Sequence, residues 1–241
     1  MEEDKPQSGD TDLRTHMIWI KICGTTNLRD AQLSVAAGAD ALGFIFAPSP
    51  RAVDINTAGE IVRAVASEGE TIGVFVNQAP CAVADVAQQI GLSGVQLHGD
   101  EPPETLAEYR YELSGRKIIK VLHADELLAN PHRLDSYLAA RGNIDAILLD
   151  SGSAEQRGGT GATYDWDQIL PIARAIRDAM PLIVAGGLHA GNVARAIELF
   201  KPWGVDVVSG VESSPGEKDE NKLRDFIAAV RQTPASARLR A

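Results

Sequence analysis

Eight short apolar runs punctuate this chain, and their spacing constrains the fold more than any other feature. They are Ile18–Cys23, Ala41–Phe46, Thr71–Asn77, Gly94–His98, Lys117–Leu122, Asp145–Asp150, Leu182–Gly186 and Asp206–Ser209. Each is continuous rather than alternating, the pattern of strands buried on both faces of a parallel sheet. Between them lie helix-length segments with apolar residues three and four apart: Asn27–Ala37, Ile55–Ser67, Ala79–Ile90, Pro102–Leu113, Asp125–Arg141, Thr163–Met180, Asn192–Phe200 and Asp219–Arg231. Asn27 and Asp54 read as N-caps, Gly38 and Gly91 as C-terminal stops. Pro131 is expected to interrupt the fifth helix, and Pro171 to delay the seventh until Ile172. Strand and helix alternation implies βαβ units, and eight repeats in about 215 residues of a 241-residue chain match a closed (β/α)8 barrel. An open doubly wound sheet usually has fewer strands.

No Gly- or Pro-rich linker divides the body, so one domain is expected over residues 16–232. Residues 1–15 and 233–241 are expected to be flexible tails. The first of these carries five acids against two bases and lacks the apolar stretch of a secretory signal. Lys and Arg number 23 against 33 Asp and Glu, a net charge of −10, which argues against a nucleic-acid partner. No apolar run approaches the ~20 residues of a membrane helix. Two cysteines make no disulfide framework and suit a reducing, cytoplasmic setting.

A barrel places catalytic groups where strands end and βα loops begin. The polar residues there are Lys21, Cys23, Arg51, Asn77, Gln96, His98, Asp150 and Ser209. Gly186 and Gly187 follow the seventh run, and Ser209 and Gly210 follow the eighth. Glycines let backbone N–H groups approach an anion, and loops seven and eight commonly bind phosphate in barrels. Cys23 reads either as an inert core residue or as a base or nucleophile with a lowered pKa. Asp150 reads either as a loop cap or as an acid whose apolar surroundings keep its proton available. Strands one and six lie nearly across the barrel, so the pair could exchange protons with opposite ends of a small molecule. Arg51, after Pro48 and Pro50, is either solvated or a fork for a carboxylate. His98 and Gln96 belong to the rim, and pattern alone does not separate structure from function there. The side to which Asp206 points is open. The segment 157–161 could form a lid. His123, His132 and His189 lack metal-ligand spacing.

The motifs KICGTTNLRDA (21–31), ADALGFIFAPSPRAV (39–53), GVFVNQ (73–78), GVQLHGDE (94–101), ILLDSGSAEQRGGTGATYDW (147–166), VAGGLHAGNVARAI (184–197) and GVDVVSGVESSPGEKD (204–219), in this order, resemble the phosphoribosylanthranilate isomerase family of tryptophan biosynthesis. The resemblance implies an Amadori rearrangement of N-(5'-phosphoribosyl)anthranilate without metal or redox cofactor. It implies Asp150 as general acid, Cys23 as general base, and Arg51 as the carboxylate clamp. Gly186, Gly187, Ser209 and Gly210 would cradle the phosphate. From their place at the rim, Gln96 and His98 are expected to contact the substrate. A monomer or homodimer is expected, with a small phosphorylated molecule as the partner. Thr25 departs from the family, which often has an aliphatic residue there. Related readings are a non-catalytic phosphate-binding barrel and a sugar-phosphate isomerase of histidine biosynthesis. The latter uses paired aspartates, whereas the first strand here ends in Cys23.

Overall fold

The computed structural model describes residues 17–150 and 166–234. The proposed lid at 157–161 and most of both expected tails lie outside the described residues. Among those described, eight strands close into one parallel barrel in sequence order: β1 (Trp19–Ile22), β2 (Ala41–Ile45), β3 (Glu70–Phe75), β4 (Gly94–Leu97), β5 (Lys117–His123), β6 (Ala146–Asp150), β7 (Leu182–Ala185) and β8 (Gly204–Val207). β1 pairs with β8 over four residues, Trp19 to Ile22 against Gly204 to Val207. This seam turns an open sheet into a cylinder without edges.

Alternation along each strand sorts side chains into two cores. Ile20, Ile22, Leu42 and Phe44 face outward into the large core beneath the helices. Trp19, Ala41, Ile72, Ile119, Val121, Leu148 and Ile183 form a second, smaller cluster inside the barrel. Small residues are needed where the cylinder is tight. At Gly43, a Cβ would lie 2.6 Å from Cys23 Sγ.

The helices are α1 (Leu28–Ala37), α2 (Ile55–Val65), α3 (Pro80–Ile90), α4 (Leu106–Glu112), α5 (Ala124–Ala129), α6 (His132–Ala139), α7 (Trp166–Ala179), α8 (Val193–Phe200) and α9 (Glu220–Gln232). Asn27 Oδ1 accepts from Asp30 N, and Gly38 closes α1 at φ 103°, as its residue type requires. Asp54 caps α2 through the Asn56 and Thr57 amides. Pro131 does separate α5 from α6.

Two features depart from expectation. α7 does not wait for Ile172; it runs through Pro171. Trp166, Ile169, Ala173 and Ile176 form one buried face that spans the proline, and that burial outweighs the single missing N–H. After β8 comes an unforeseen antiparallel hairpin, β9 (Glu212–Ser214) with β10 (Glu217–Lys218). Its short, polar strands carry no apolar run to announce them.

Pro171 is exposed and lies past the first turn of α7, where its absent N–H costs a helical hydrogen bond. Pro171→Ala should therefore stabilise the protein by about 1–2 kcal/mol, once the greater freedom of the unfolded chain is subtracted. Urea unfolding checks this, and a loss of stability would show that the proline shapes the packing of α7.

Candidate active site

Cys23 follows β1 and is buried, with 3% of its surface exposed. Its N–H donates to Val207 O at 2.9 Å, and its carbonyl accepts from Lys218 Nζ at 2.6 Å. Burial pushes the thiol up from its ordinary value; Lys21 and Lys218 pull it back only in part, and Asp206 adds to the rise. Asp206 points into the barrel, where it meets Lys21 Nζ at 2.6 Å with both side chains buried. The seam register places them directly opposite each other. Burial works against the Lys21 charge, but Asp206 and the Cys23 sulfur more than offset it, and its pKa is raised.

Asp150 ends β6, in register with His123 on β5 and Ala185 on β7. In the barrel order, β6 and β1 are separated by β7 and β8, so Asp150 and Cys23 stand nearly across the barrel from each other at the same rim. His123 is buried, and its ring lies 5.5 Å from that of His98.

Arg51 is not a solvated arginine. Its Nε lies 3.0 and 2.9 Å from the two Glu212 carboxylate oxygens, and its Nη2 donates to Oε2 at 2.7 Å. The arginine stem runs over Gly24, next to Cys23, where a Cβ would sit 2.9 Å from Arg51 Cδ. Glu212 also accepts from Lys218 Nζ at 3.0 Å and Gly216 N at 3.2 Å. Burial alone would raise the Glu212 pKa, but Arg51 and Lys218 bring it below its ordinary value. Lys218 is lowered by burial, against the pull of Glu212.

Gln96 Nε2 and His98 Nδ1 share a hydrogen bond of 2.9 Å. Gln96 Oε1 is buried with no hydrogen-bond partner among the described residues. A buried pair holds this rim. Lys120 Nζ donates to Glu101 Oε2 and Gly99 O, both at 2.8 Å, while Glu101 accepts from Asn77 N and Gly99 N. Burial lowers the Lys120 pKa and Glu101 opposes this. Lys120→Met leaves a buried carboxylate uncompensated, so a loss of about 3–5 kcal/mol is expected in urea unfolding. A loss below about 1 kcal/mol would mean that the pair is solvated.

Loops seven and eight are built together. Gly186 and Gly187 hold φ of 90° and 64°, a region that disfavours other residues. Gly210 lies in the short 3-10 turn Ser209–Val211, where a Cβ would fall 1.9 Å from Leu188 O. Asn192, ahead of α8, ties the loop by donating to Gly187 O and accepting from His189 N. The structure thus gathers Cys23, Arg51, Gln96, His98, Asp150, Gly186, Gly187, Ser209 and Gly210 at the end of the barrel where the strands finish. Sequence reasoning gave no role to Glu212 or Lys218, although both lie within a quoted motif. Their signal was charge at positions that fold inward.

The family model for N-(5'-phosphoribosyl)anthranilate isomerase matches residues 20–229. The chain belongs to this family. The isomerase of Pelobacter propionicus is 44% identical over 219 residues, covering 90% of this chain and 97% of that protein. The Thermotoga maritima phosphoribosyl anthranilate isomerase crystal structure superposes with a TM-score of 0.77 at 39% identity, covering 89% of this chain and 98% of that one. A second isomerase structure, in complex with reduced 1-(o-carboxyphenylamino)-1-deoxyribulose 5-phosphate, gives a TM-score of 0.73 at 37% identity over 89% and 98% of the two chains. Family membership carries the barrel and the isomerase of tryptophan biosynthesis with it. Among the described residues no helix is long and apolar enough to cross a membrane, and no group of three or more His, Cys, Asp or Glu could hold a metal ion.

Gly43 is the residue that makes room for the thiol. Gly43→Ala should displace Cys23 Sγ and reduce kcat by a factor of ten or more while the fold persists by circular dichroism. Unchanged turnover would show that the position of the sulfur is not critical.

Proposed function

We propose that this chain converts N-(5'-phosphoribosyl)anthranilate to 1-(2-carboxyphenylamino)-1-deoxyribulose 5-phosphate with Asp150 as general acid and Cys23 as general base. The observation that carries this reading is the opposition of a carboxyl group ending β6 and a thiol following β1 at one rim. Asp150 protonates the furanose ring oxygen; the ring opens and the anthranilate nitrogen forms a protonated Schiff base with C1. Cys23, as thiolate, then takes the proton from C2. The C–H electron pair becomes the C1=C2 bond, and the C1=N pair moves onto nitrogen. The resulting enolamine tautomerises to the ketone as C1 gains a proton and the C2 hydroxyl loses one. No net oxidation occurs, so the scheme calls for no redox cofactor.

The substrate carries an anion at each end. Arg51 takes the anthranilate carboxylate with the N–H groups not engaged by Glu212. Backbone donors of loops seven and eight, with Ser209, take the phosphate, supported by the positive φ at Gly186 and Gly187 and the close approach at Gly210. Gln96 offers its unpartnered Oε1 to a sugar hydroxyl, and His98 orients that amide. Such local donors matter in a protein of net charge −10, whose overall field opposes a dianion. The free state of both cysteines supports a cytoplasmic setting, and the chain acts as a monomer or homodimer.

Asp150→Asn and Cys23→Ser should each reduce turnover by ~10² or more, in the range typical of general acid–base groups. Arg51→Ala should chiefly raise KM. Loss of anthranilate-adduct fluorescence in the purified variants measures all three. A non-catalytic binding barrel would show no turnover to lose, and an unchanged KM in Arg51→Ala would remove the clamp.

A further inference from the structure

Five charged side chains from five segments surround the base: Lys21 of β1, Arg51 after β2, Asp206 of β8, Glu212 of β9 and Lys218 of β10. Asp30 of α1 accepts the Lys218 backbone N–H at 2.7 Å and the Asn27 side-chain amide at 3.0 Å. The barrel itself supplies Lys21 and Asp206, and they neutralise each other at 2.6 Å. Lys218 is different. It lies outside the barrel, on the hairpin that folds back over the rim, and its side chain is wholly buried. Its Nζ donates to the Cys23 carbonyl at 2.6 Å and to Glu212 Oε1 at 3.0 Å. Glu212 is shared with Arg51, so two cations divide one carboxylate beside the thiol in the free enzyme.

We propose that Lys218 is a positioning residue for the proton-abstraction step: its ammonium fixes the Cys23 peptide and supplies the positive charge that favours the thiolate, while Glu212 joins it to the arginine that receives the substrate carboxylate. This rests on Cys23 being the base. A buried thiol does not ionise readily, and an opposite charge within about 4–6 Å offsets that by ~1–3 pKa units. Lys218 and Lys21 both act on the Cys23 sulfur in this direction. Ionisation sends the thiol proton to solvent, and the thiolate then takes the C2 proton as described above. The hairpin thereby prepares the base and braces the carboxylate clamp through one shared carboxylate.

The test is the pH dependence of kcat/KM, whose rising limb reports the base in the free enzyme. Lys218→Met should move that limb to higher pH by about one unit or more, and Lys218→Arg should bring it back toward the parent. Glu212→Gln removes the shared carboxylate, keeps hydrogen-bonding capacity and should move the limb to lower pH. Opposite shifts of this kind do not arise from a merely structural defect. A Lys218→Met protein that loses activity with its limb unmoved overturns the inference, as do shifts of the same sign in both variants. Should Lys218→Met not fold, Glu212→Gln decides: a downward shift supports the inference and an unmoved limb overturns it. Cys23→Ser in the same series separates the two readings. If it keeps kcat/KM within a few-fold, the base assignment itself fails. If it is inactive and the Lys218 and Glu212 limbs stay put, only the role of Lys218 fails.

Discussion

The seam between β1 and β8 is the constraint on which the rest of this structure depends. Seven neighbouring strand pairs would make only a twisted open sheet; the eighth, Trp19 to Ile22 against Gly204 to Val207, closes it. Closure has a chemical consequence. It brings Lys21 face to face with Asp206 and puts the chain leaving β8 beside the chain leaving β1. Cys23, the turn at Ser209 and the hairpin at 212–218 therefore meet at one corner although they lie far apart in sequence. Asp150 ends β6, three strands away around the ring, at the same end of the barrel.

Buried charge is expensive, and this corner holds several such groups. Each is tolerated because it has a partner at hydrogen-bond distance: Lys21 with Asp206, Arg51 and Lys218 with Glu212, and Lys120 with Glu101 at the neighbouring rim. These pairs make weak claims to net stability, since desolvation takes back much of the Coulomb gain. Their value lies in geometry. They hold loops that the apolar core does not reach, and the field they set up acts on a thiol that burial alone would keep protonated.

The framework was legible in the sequence because parallel strands covered on both faces read as continuous apolar runs, and each of the eight runs overlaps a strand of the barrel, although the last strand begins two residues earlier and ends at Val207. The rim positions of Cys23 and Asp150 followed from where those runs end. Pro171 misled because local propensity was read without the buried face of Trp166, Ile169, Ala173 and Ile176, which carries α7 through it. The hairpin escaped notice because ESS and EK have no apolar pattern. The partners of Arg51 and Cys23 were equally hidden. Glu212 is 161 residues from Arg51, and Lys218 is 195 from Cys23, and a charged residue in a sequence does not announce the one it will meet. The orientation of Asp206 was open for the same reason, until the register across the seam settled it.

The central claim is a division of labour across the barrel: the carboxyl group of Asp150 opens the sugar, and the sulfur of Cys23 then removes the C2 hydrogen. The most direct measurement is the kinetic isotope effect on kcat with substrate deuterated at C2, compared between Cys23→Ser and Asp150→Asn. A primary isotope effect is expected in Cys23→Ser, where C–H cleavage has become slow, and its suppression in Asp150→Asn, where ring opening has become slow. The reverse pattern, or equal effects in both variants, would contradict it.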